Sequence, residues 1–158
     1  MSHFYIKAQL AAVRRDLDEI LPRLKDEMMG WAPAEGMRTI GGQLVEIAAT
    51  EMQLLAILKR EPEISWERAQ EIIGDPNSLT NLTAHLRETR IKTIAYIDSL
   101  FEEQLEQPAG VHSGWGVALG IENIPRSEVL RGIAQHEAYH VGQLTSYLWA
   151  HGDDPYEW

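Results

Sequence analysis

Two histidines and a glutamate in the last third of the chain are the residues best suited to do chemistry. His136 and His140 are four positions apart, and Glu137 directly follows the first histidine. Side chains at positions i and i+4 are neighbours on one face of a helix, about 6 Å apart at Cβ. Two imidazoles at that separation suit two ligands of one divalent metal ion. The spacing therefore predicts part of a metal site.

These residues belong to a helix that the hydrophobic pattern predicts over about 126–151. At about 100° per residue, His136 and His140 share a polar strip that borders the apolar arc facing the core. Glu137 lies within that arc, where a carboxylate is unfavourable unless a cation or hydrogen-bond donors meet it. We interpret Glu137 as a catalytic residue that acts as a general base or orients a ligand. Gln143, on the same strip, is a candidate for orienting His140.

A second predicted helix, over about 40–60 with Thr39 as its N-cap, also carries a polar side chain at the edge of its apolar face. Glu46 lies at the border of the apolar arc of this helix. Helical bundles form metal sites from inward-facing side chains on adjacent helices, so we predict Glu46 as the third ligand. Two neutral imidazoles and one carboxylate suit a divalent cation such as Zn²⁺, Ni²⁺, Fe²⁺ or Mn²⁺ and leave positions for water or substrate.

Each of these assignments has a competing interpretation. The two histidines could be hydrogen-bonded polar residues at a helix edge, and Glu46 could be a solvated helix residue. The pattern HExxH also describes zinc metalloproteases, in which the glutamate is the general base. Against a protease, His151 lies three helical turns beyond His140, about 16 Å away, too far to share one ion. No strand pattern that could align an extended peptide is present either.

The hydrophobic periodicity along the chain predicts an all-α fold. Apolar residues recur every three or four positions in four long segments, 2–29, 40–60, 79–105 and 126–151, and a short helix runs from Ser65 to Gly74. Pro22 predicts a kink or break near Leu21, because proline lacks the N–H donor that a helix interior needs. We predict an up-down four-helix bundle with one short extra helix.

A glycine-rich segment precedes the last predicted helix. Residues 107–125 contain four glycines and end at Pro125, which predicts a long loop rather than a helix. Long loops often line functional sites, so His112 and Trp115 within this loop are candidates for lining a pocket.

Composition narrows the functional classes. The 158 residues suffice for one domain, expected over 1–158, and the absence of cysteine excludes thiolate ligands. The net charge of -10 and the scattered basic residues argue against a nucleic-acid partner, and we interpret Arg14 and Arg15 as solvated. With no signal peptide and no apolar run of about 18 residues, we expect a cytoplasmic protein without membrane contact.

Two segments carry a resemblance to a known family. Residues 136–144, HEAYHVGQL, and residues 39–51, TIGGQLVEIAATE, resemble the DinB/YfiT-like superfamily of four-helix-bundle metalloenzymes. In that family three histidines usually hold a divalent metal, often nickel or zinc, and the first comes from the second helix. Glu46 stands at the matching position here, so the resemblance implies a His-His-Glu site. Relatives include bacillithiol S-transferases and a mycothiol-dependent isomerase, and several are dimers.

The residues and the resemblance together predict a metal-dependent enzyme. The metal would activate a thiol or a water molecule in a reaction like that of a thiol S-transferase or a hydrolase. A small-molecule substrate, a low-molecular-weight thiol and a homodimer are the partners that this hypothesis implies. The alternative is a non-catalytic helical bundle with a structural metal or a role in binding a small ligand or a partner.

Overall fold

The computed structural model describes residues 3–110 and 123–158. Within them we number the α-helices in chain order: α1 His3–Ile20, α2 Ile40–Leu58, α3 Trp66–Ile73, α4 Leu79–Asp98, α5 Glu102–Leu105 and α6 Arg126–Ala150. Short 3₁₀ segments follow the first and last helices, at Leu21–Arg23, Asp26–Met28 and Pro155–Glu157. These described residues form no strand, so the predicted all-α class is confirmed.

Side-chain caps fix several helix ends where the sequence predicts them. Thr39 Oγ1 accepts a hydrogen bond from the N–H of Gly42 at 3.1 Å, and Ser65 Oγ accepts one from the N–H of Arg68 at 3.1 Å. Such bonds satisfy donors that the first turn of a helix leaves without a backbone partner. At the end of α6, Gly152 adopts φ 100° and stops the helix.

Pro22 ends the first helix. The helix α1 stops at Ile20, and the proline lies in the 3₁₀ segment that follows. Proline removes a donor and its ring crowds the preceding turn, which explains the break. The break near Leu21 is therefore confirmed, but the helix does not resume as α-helix, so the predicted helix over 2–29 is too long.

The single helix predicted over 79–105 is in fact two helices. The first, α4, ends at Asp98, where the hydroxyl of Ser99 donates to the carbonyl of Tyr96 at 2.6 Å. A serine hydroxyl that bonds nearby backbone offers the chain an alternative to the helical ladder. Phe101, which periodicity places on the apolar face, is exposed between the two helices.

The glycine-rich segment over 107–125 is described at its two ends. The N–H of Ala109 donates to the carbonyl of Ile124 at 2.9 Å, so the two ends meet beside the start of α6. His112 and Trp115, the candidates for lining a pocket, lie outside the described residues.

Four long helices pack in a ring. The helix α1 contacts α4 and α6, and α2 contacts the same two helices from the opposite side. Buried apolar side chains form two clusters along this ring. The first apolar cluster includes Ile20, Leu44, Leu86 and Leu148, and the second includes Leu10, Leu58, Ile97 and Leu130. Among the described helices, none combines the length and apolar composition needed to cross a membrane.

The helices α2 and α4 run in the same direction, which corrects the predicted up-down alternation. Arg90 of α4 donates to Glu51 of α2 at 2.8 Å, and Tyr96 further along α4 donates to the carbonyl of Leu58 further along α2 at 3.0 Å. The connection that contains α3 is long enough to return the chain to the start of α2 before α4 begins. Arg14 of α1 contacts Glu137 of α6, and Arg23 just after α1 contacts Asp153 just after α6, so these two helices are also parallel and the order is up, down, down, up.

Candidate metal centre

Glu46 on α2 faces His136 and His140 on the antiparallel helix α6. The Nε2 atoms of the two histidines are 3.2 Å apart, and Nε2 of His140 lies 3.7 Å from Oε2 of Glu46. One ligand atom from each of the three residues lies within 4.8 Å of the other two. The structure therefore brings together the three residues that the sequence predicts as ligands.

These separations and donors fit a single divalent cation. Bonds of about 2.0–2.1 Å in a tetrahedral arrangement place neighbouring ligand atoms about 3.3 Å apart, close to the two distances in the site. Two imidazole nitrogens and one carboxylate oxygen form a donor set that suits Zn²⁺, Ni²⁺, Fe²⁺ and Mn²⁺. Three protein ligands also leave a coordination position open, as in catalytic rather than structural zinc sites.

Gln43 holds the ring of His140. Its Oε1 contacts Nδ1 of His140, and its Nε2 donates to the hydroxyl of Tyr147 at 3.4 Å. Because an amide oxygen only accepts, Nδ1 carries the proton and Nε2 keeps its lone pair for a cation. The hydrophobic pattern of α2 does not single out Gln43, although it lies three residues before Glu46 and therefore on the same face of the helix.

Gln143, which the sequence predicts as the residue orienting His140, lies beside that ring, and the interaction of its side chain with the ring opposes the burial that lowers the pKa of His140. Nε2 of Gln143 donates to the hydroxyl of Tyr139 at 2.9 Å. The hydroxyl of Thr50, one turn after Glu46, lies 3.5 Å from Nε2 of His136. The polar neighbours of the two histidines therefore come from both α2 and α6.

Arg38 lies at the mouth of the site and is partly exposed. Its Nε is 2.6 Å from Oε2 of Glu46, the same oxygen that faces His140. The hydroxyl of Tyr147 donates to the main-chain carbonyl of Arg38 at 3.0 Å. Arg38 is thus held at both its backbone and its side chain.

Burial keeps both histidines in the form that binds metal. It lowers the pKa of His136 from about 6.5 to about 4, and the neighbouring charge of His140 lowers the pKa of His136 further. Burial also lowers the pKa of His140, although the carboxylate of Glu46 opposes that shift. Both rings are therefore neutral at neutral pH, and their lone pairs are available to a cation.

Glu137 lies in a buried cluster of four charged side chains, which we call the ion cluster: Arg14, Glu51, Arg90 and Glu137. Each of the four long helices contributes one of them. Oε1 of Glu137 accepts from Nε of Arg14 at 2.6 Å, and its Oε2 accepts from Arg14 at 3.2 Å and from Arg90. The positive groups beside this buried carboxylate are the guanidinium groups of Arg14 and Arg90. Both carboxylate oxygens accept hydrogen bonds from them.

The two arginines of the ion cluster correct the view that the basic residues are solvated. Arg14 exposes 11% of its side chain, and Arg90 is buried. Burial alone would lower the pKa of Arg90, but the hydrogen bonds and charges of Glu51 and Glu137 outweigh it and raise that pKa. Arg15, the neighbour of Arg14, is exposed as predicted.

The fold and the site define an all-α protein with a candidate His-His-Glu metal centre between two of its long helices. The DinB superfamily matches the chain over residues 9–144, and the chain belongs to that superfamily. Its structure is similar to the crystal structure of a conserved protein from Enterococcus faecalis, with a TM-score of 0.69 and 14% sequence identity over 95% of this chain and 96% of that one. At this identity the likeness shows the fold alone. A search of curated proteins gave no match.

Proposed function

We propose that the protein is a metal-dependent enzyme in which Glu46, His136 and His140 hold a divalent cation. The observation that carries the proposal is the convergence of these side chains, from two helices, with ligand atoms within 4.8 Å of one another. The reaction is of the thiol S-transferase or hydrolase kind, and a small molecule is its substrate. Membership of the DinB superfamily supports this proposal.

The residues of the site supply the conditions for such a reaction. A bound divalent cation would lower the pKa of a thiol or of water, so that a nucleophile exists at neutral pH. Gln43 keeps the Nε2 lone pair of His140 directed at the cation site. Glu46 and His136 are partly exposed and His140 is buried, so a small molecule reaches the triad from the side of Glu46 and His136.

Metal content is the direct test of the triad. Protein purified without chelator is expected to contain close to one equivalent of a divalent metal, and Glu46→Ala and His136→Ala are expected to lose most of it. His85→Ala, which changes a histidine outside the triad, is the matched control and should keep the metal. Equal, near-zero metal content in all four proteins would contradict the proposal.

Chelator treatment separates a catalytic metal from a structural one. A metal that binds the folded state alone stabilises it by mass action, so a structural ion would raise the melting temperature strongly. For a catalytic ion we expect chelation to abolish turnover with low-molecular-weight thiols as test substrates, whatever the change in melting temperature. A large loss of stability in a protein without turnover would instead favour the non-catalytic alternative.

The resemblance also supports a low-molecular-weight thiol as co-substrate and a homodimer as the assembly. Sedimentation of the purified protein tests the dimer directly. A monomer at micromolar concentration would remove the dimer from the proposal and leave the metal site untouched.

A further inference from the structure

The cation site carries more positive charge than its ligands neutralise. A divalent cation brings two charges, and the single carboxylate of Glu46 removes one, because the two histidines are neutral donors. Arg38 adds another positive charge only 2.6 Å from that carboxylate. The ion cluster nearby contributes two arginines and two glutamates, which cancel. Two positive charges therefore remain among the cation, its ligands and Arg38.

The guanidinium of Arg38 is positioned rather than loosely solvated. Its Nε lies 2.6 Å from Oε2 of Glu46, and its main-chain carbonyl accepts a hydrogen bond from the hydroxyl of Tyr147. The guanidinium carbon lies 6.0 Å from the centre of the Trp66 ring. A side chain at Gly42 would place its Cβ only 2.9 Å from Cγ of Arg38, so this glycine leaves room for the arginine stem across α2.

The same guanidinium still has donors to offer. Arginine carries five N–H donors in a rigid fork that matches a carboxylate or a phosphate. Within the described residues, the side-chain contact to Glu46 uses Nε, and 45% of the Arg38 side chain is exposed. Its terminal nitrogens can therefore bind an anionic group of a molecule that enters beside the cation.

We propose that the site selects a substrate with a negatively charged group, and that Arg38 binds this group directly. The inference rests on the proposed function and adds the chemical class of its substrate. In this arrangement the reactive atom of the substrate lies at the cation, and the anionic group lies against Arg38. A carboxylate or a phosphate near a thiol or a scissile bond meets this description.

Cobalt spectroscopy tests the inference without measuring turnover. The chelator-stripped protein is reloaded with Co²⁺ and titrated with two thiols of equal length, 3-mercaptopropionate and 3-mercapto-1-propanol. Each thiol loses its proton to the buffer on binding as thiolate, and a sulfur-to-cobalt absorption band reports the binding. Because the chain contains no cysteine, all of this absorption comes from the added thiol.

We expect the native protein to bind the charged thiol about tenfold more tightly than the neutral one, as a hydrogen bond to a charged group implies. Arg38→Gln should lose the preference and bind the two thiols with similar affinity. Arg38→Lys keeps the charge and should recover part of the preference. Arg68→Gln, which removes an exposed arginine paired with Glu71 on α3, is the matched control and should behave as the native protein.

Three results would overturn the inference. A native protein with no preference would do so, and so would a preference that survives in Arg38→Gln, because the carboxylate would then contact cobalt itself. A lysine variant that behaves as the glutamine variant would also contradict it. In these cases cobalt binds and the proposed function stands. If no variant and no native protein binds Co²⁺, the proposed metal site fails and the inference fails with it.

Discussion

Gln43 decides which nitrogen of His140 can bind a cation. Its amide oxygen meets Nδ1, and its amide nitrogen donates to Tyr147, so the amide is held from both sides. Partners of this kind fix the tautomer and the orientation of a metal-binding imidazole. The hydroxyl of Tyr147 then continues the chain of contacts to the backbone of Arg38.

We predict that Gln43→Leu lowers the affinity for Zn²⁺ by about 10- to 100-fold, because Nδ1 of His140 loses its acceptor. Competition with a chromophoric chelator measures the change. Gln70→Leu is the matched control: it removes the same amide from an exposed position on α3 and should change the affinity little. An equal loss of affinity in Gln70→Leu would contradict this role of Gln43.

The lowered pKa of His136 predicts how the stability of the metal-free protein depends on pH. The unfolded ring has a pKa of about 6.5 and the folded ring one of about 4, so the unfolded chain binds more protons between these values. The free energy of unfolding should therefore fall as the pH is lowered from about 6.5 towards 4. Urea unfolding of chelator-treated protein at several pH values measures the slope.

His136→Asn provides the comparison for this slope, since other acidic groups titrate in the same window in both proteins. The variant lacks the shifted imidazole, so its stability should fall less between pH 6.5 and 4. Equal slopes for the native protein and the variant would mean that His136 does not have a lowered pKa in the folded state.

At the residue level the sequence predicts the triad well and the ion cluster poorly. The i, i+4 spacing places His136 and His140 on one face, and the polar border position selects Glu46. The helical period also places Glu137 among apolar residues, where a buried carboxylate requires a cation, and this expectation is correct. The cation is Arg14, which lies between the buried Leu10 and Leu17 on the inward face of α1 and was interpreted as solvated. Because the exposed Arg15 follows it directly, the pair of arginines has the composition of a solvated helix face.

At the level of the helices, Gly41 fixes how closely the start of α2 approaches the chain before α4. A Cβ built at this position overlaps the carbonyl oxygen of Pro76 and lies 3.1 Å from that of Met29. Both obstacles are backbone atoms, which cannot move aside as a flexible side chain can. The N–H of Gly41 also donates to the carbonyl of Met29 at 2.9 Å, so the contact is tight on both sides.

We predict that Gly41→Ala destabilises the protein by about 1–3 kcal/mol, as overpacking of a filled site does. Gly142→Ala is the matched control, because Gly142 lies in the exposed middle of α6 and a Cβ there meets nothing within 4 Å. That substitution should stabilise by up to about 1 kcal/mol through helix propensity. Denaturant unfolding measures the change in the free energy of unfolding for each variant, and the two changes should have opposite signs. A destabilising Gly142→Ala would contradict this prediction.

The ends of the helices depend on local chemistry, whereas the directions of the helices depend on how distant segments connect. Thr39, Pro22 and Gly152 act through their own backbone or their nearest neighbours, so the sequence predicts the ends that they form. The direction of α4 depends on where the connection through α3 leads, and a period of 3.6 residues is the same in both directions. The break at Ser99 also escaped prediction, because apolar periodicity continues across it.

At the level of the whole molecule, the ion cluster joins all four long helices between the two apolar clusters. Arg14 of α1 donates to the carbonyl of Leu86 on α4 at 2.7 Å, and Arg90 of α4 donates to the carbonyl of Leu10 on α1 at 2.7 Å. These reciprocal bonds link α1 and α4. Removing one charge should therefore affect the stability of the whole bundle.

We predict that Glu137→Gln destabilises the protein by about 3–5 kcal/mol, because two buried guanidinium groups then share one carboxylate, that of Glu51. Metal content should stay unchanged, since Glu137 is outside the triad. Asp98→Asn is the matched control, because its exposed pair with Lys7 should contribute less than about 1 kcal/mol. Urea unfolding and metal analysis of the same preparations check both values.

The same variant tests the general-base role that the sequence suggests for Glu137. A general base must reach the substrate, whereas this carboxylate is 1% exposed and both of its oxygens accept hydrogen bonds from arginine. If Glu137→Gln keeps native stability and metal content but loses turnover with thiol substrates, the carboxylate is catalytic. If stability falls and the remaining folded protein turns over normally, its function is to join the four helices that position the metal ligands.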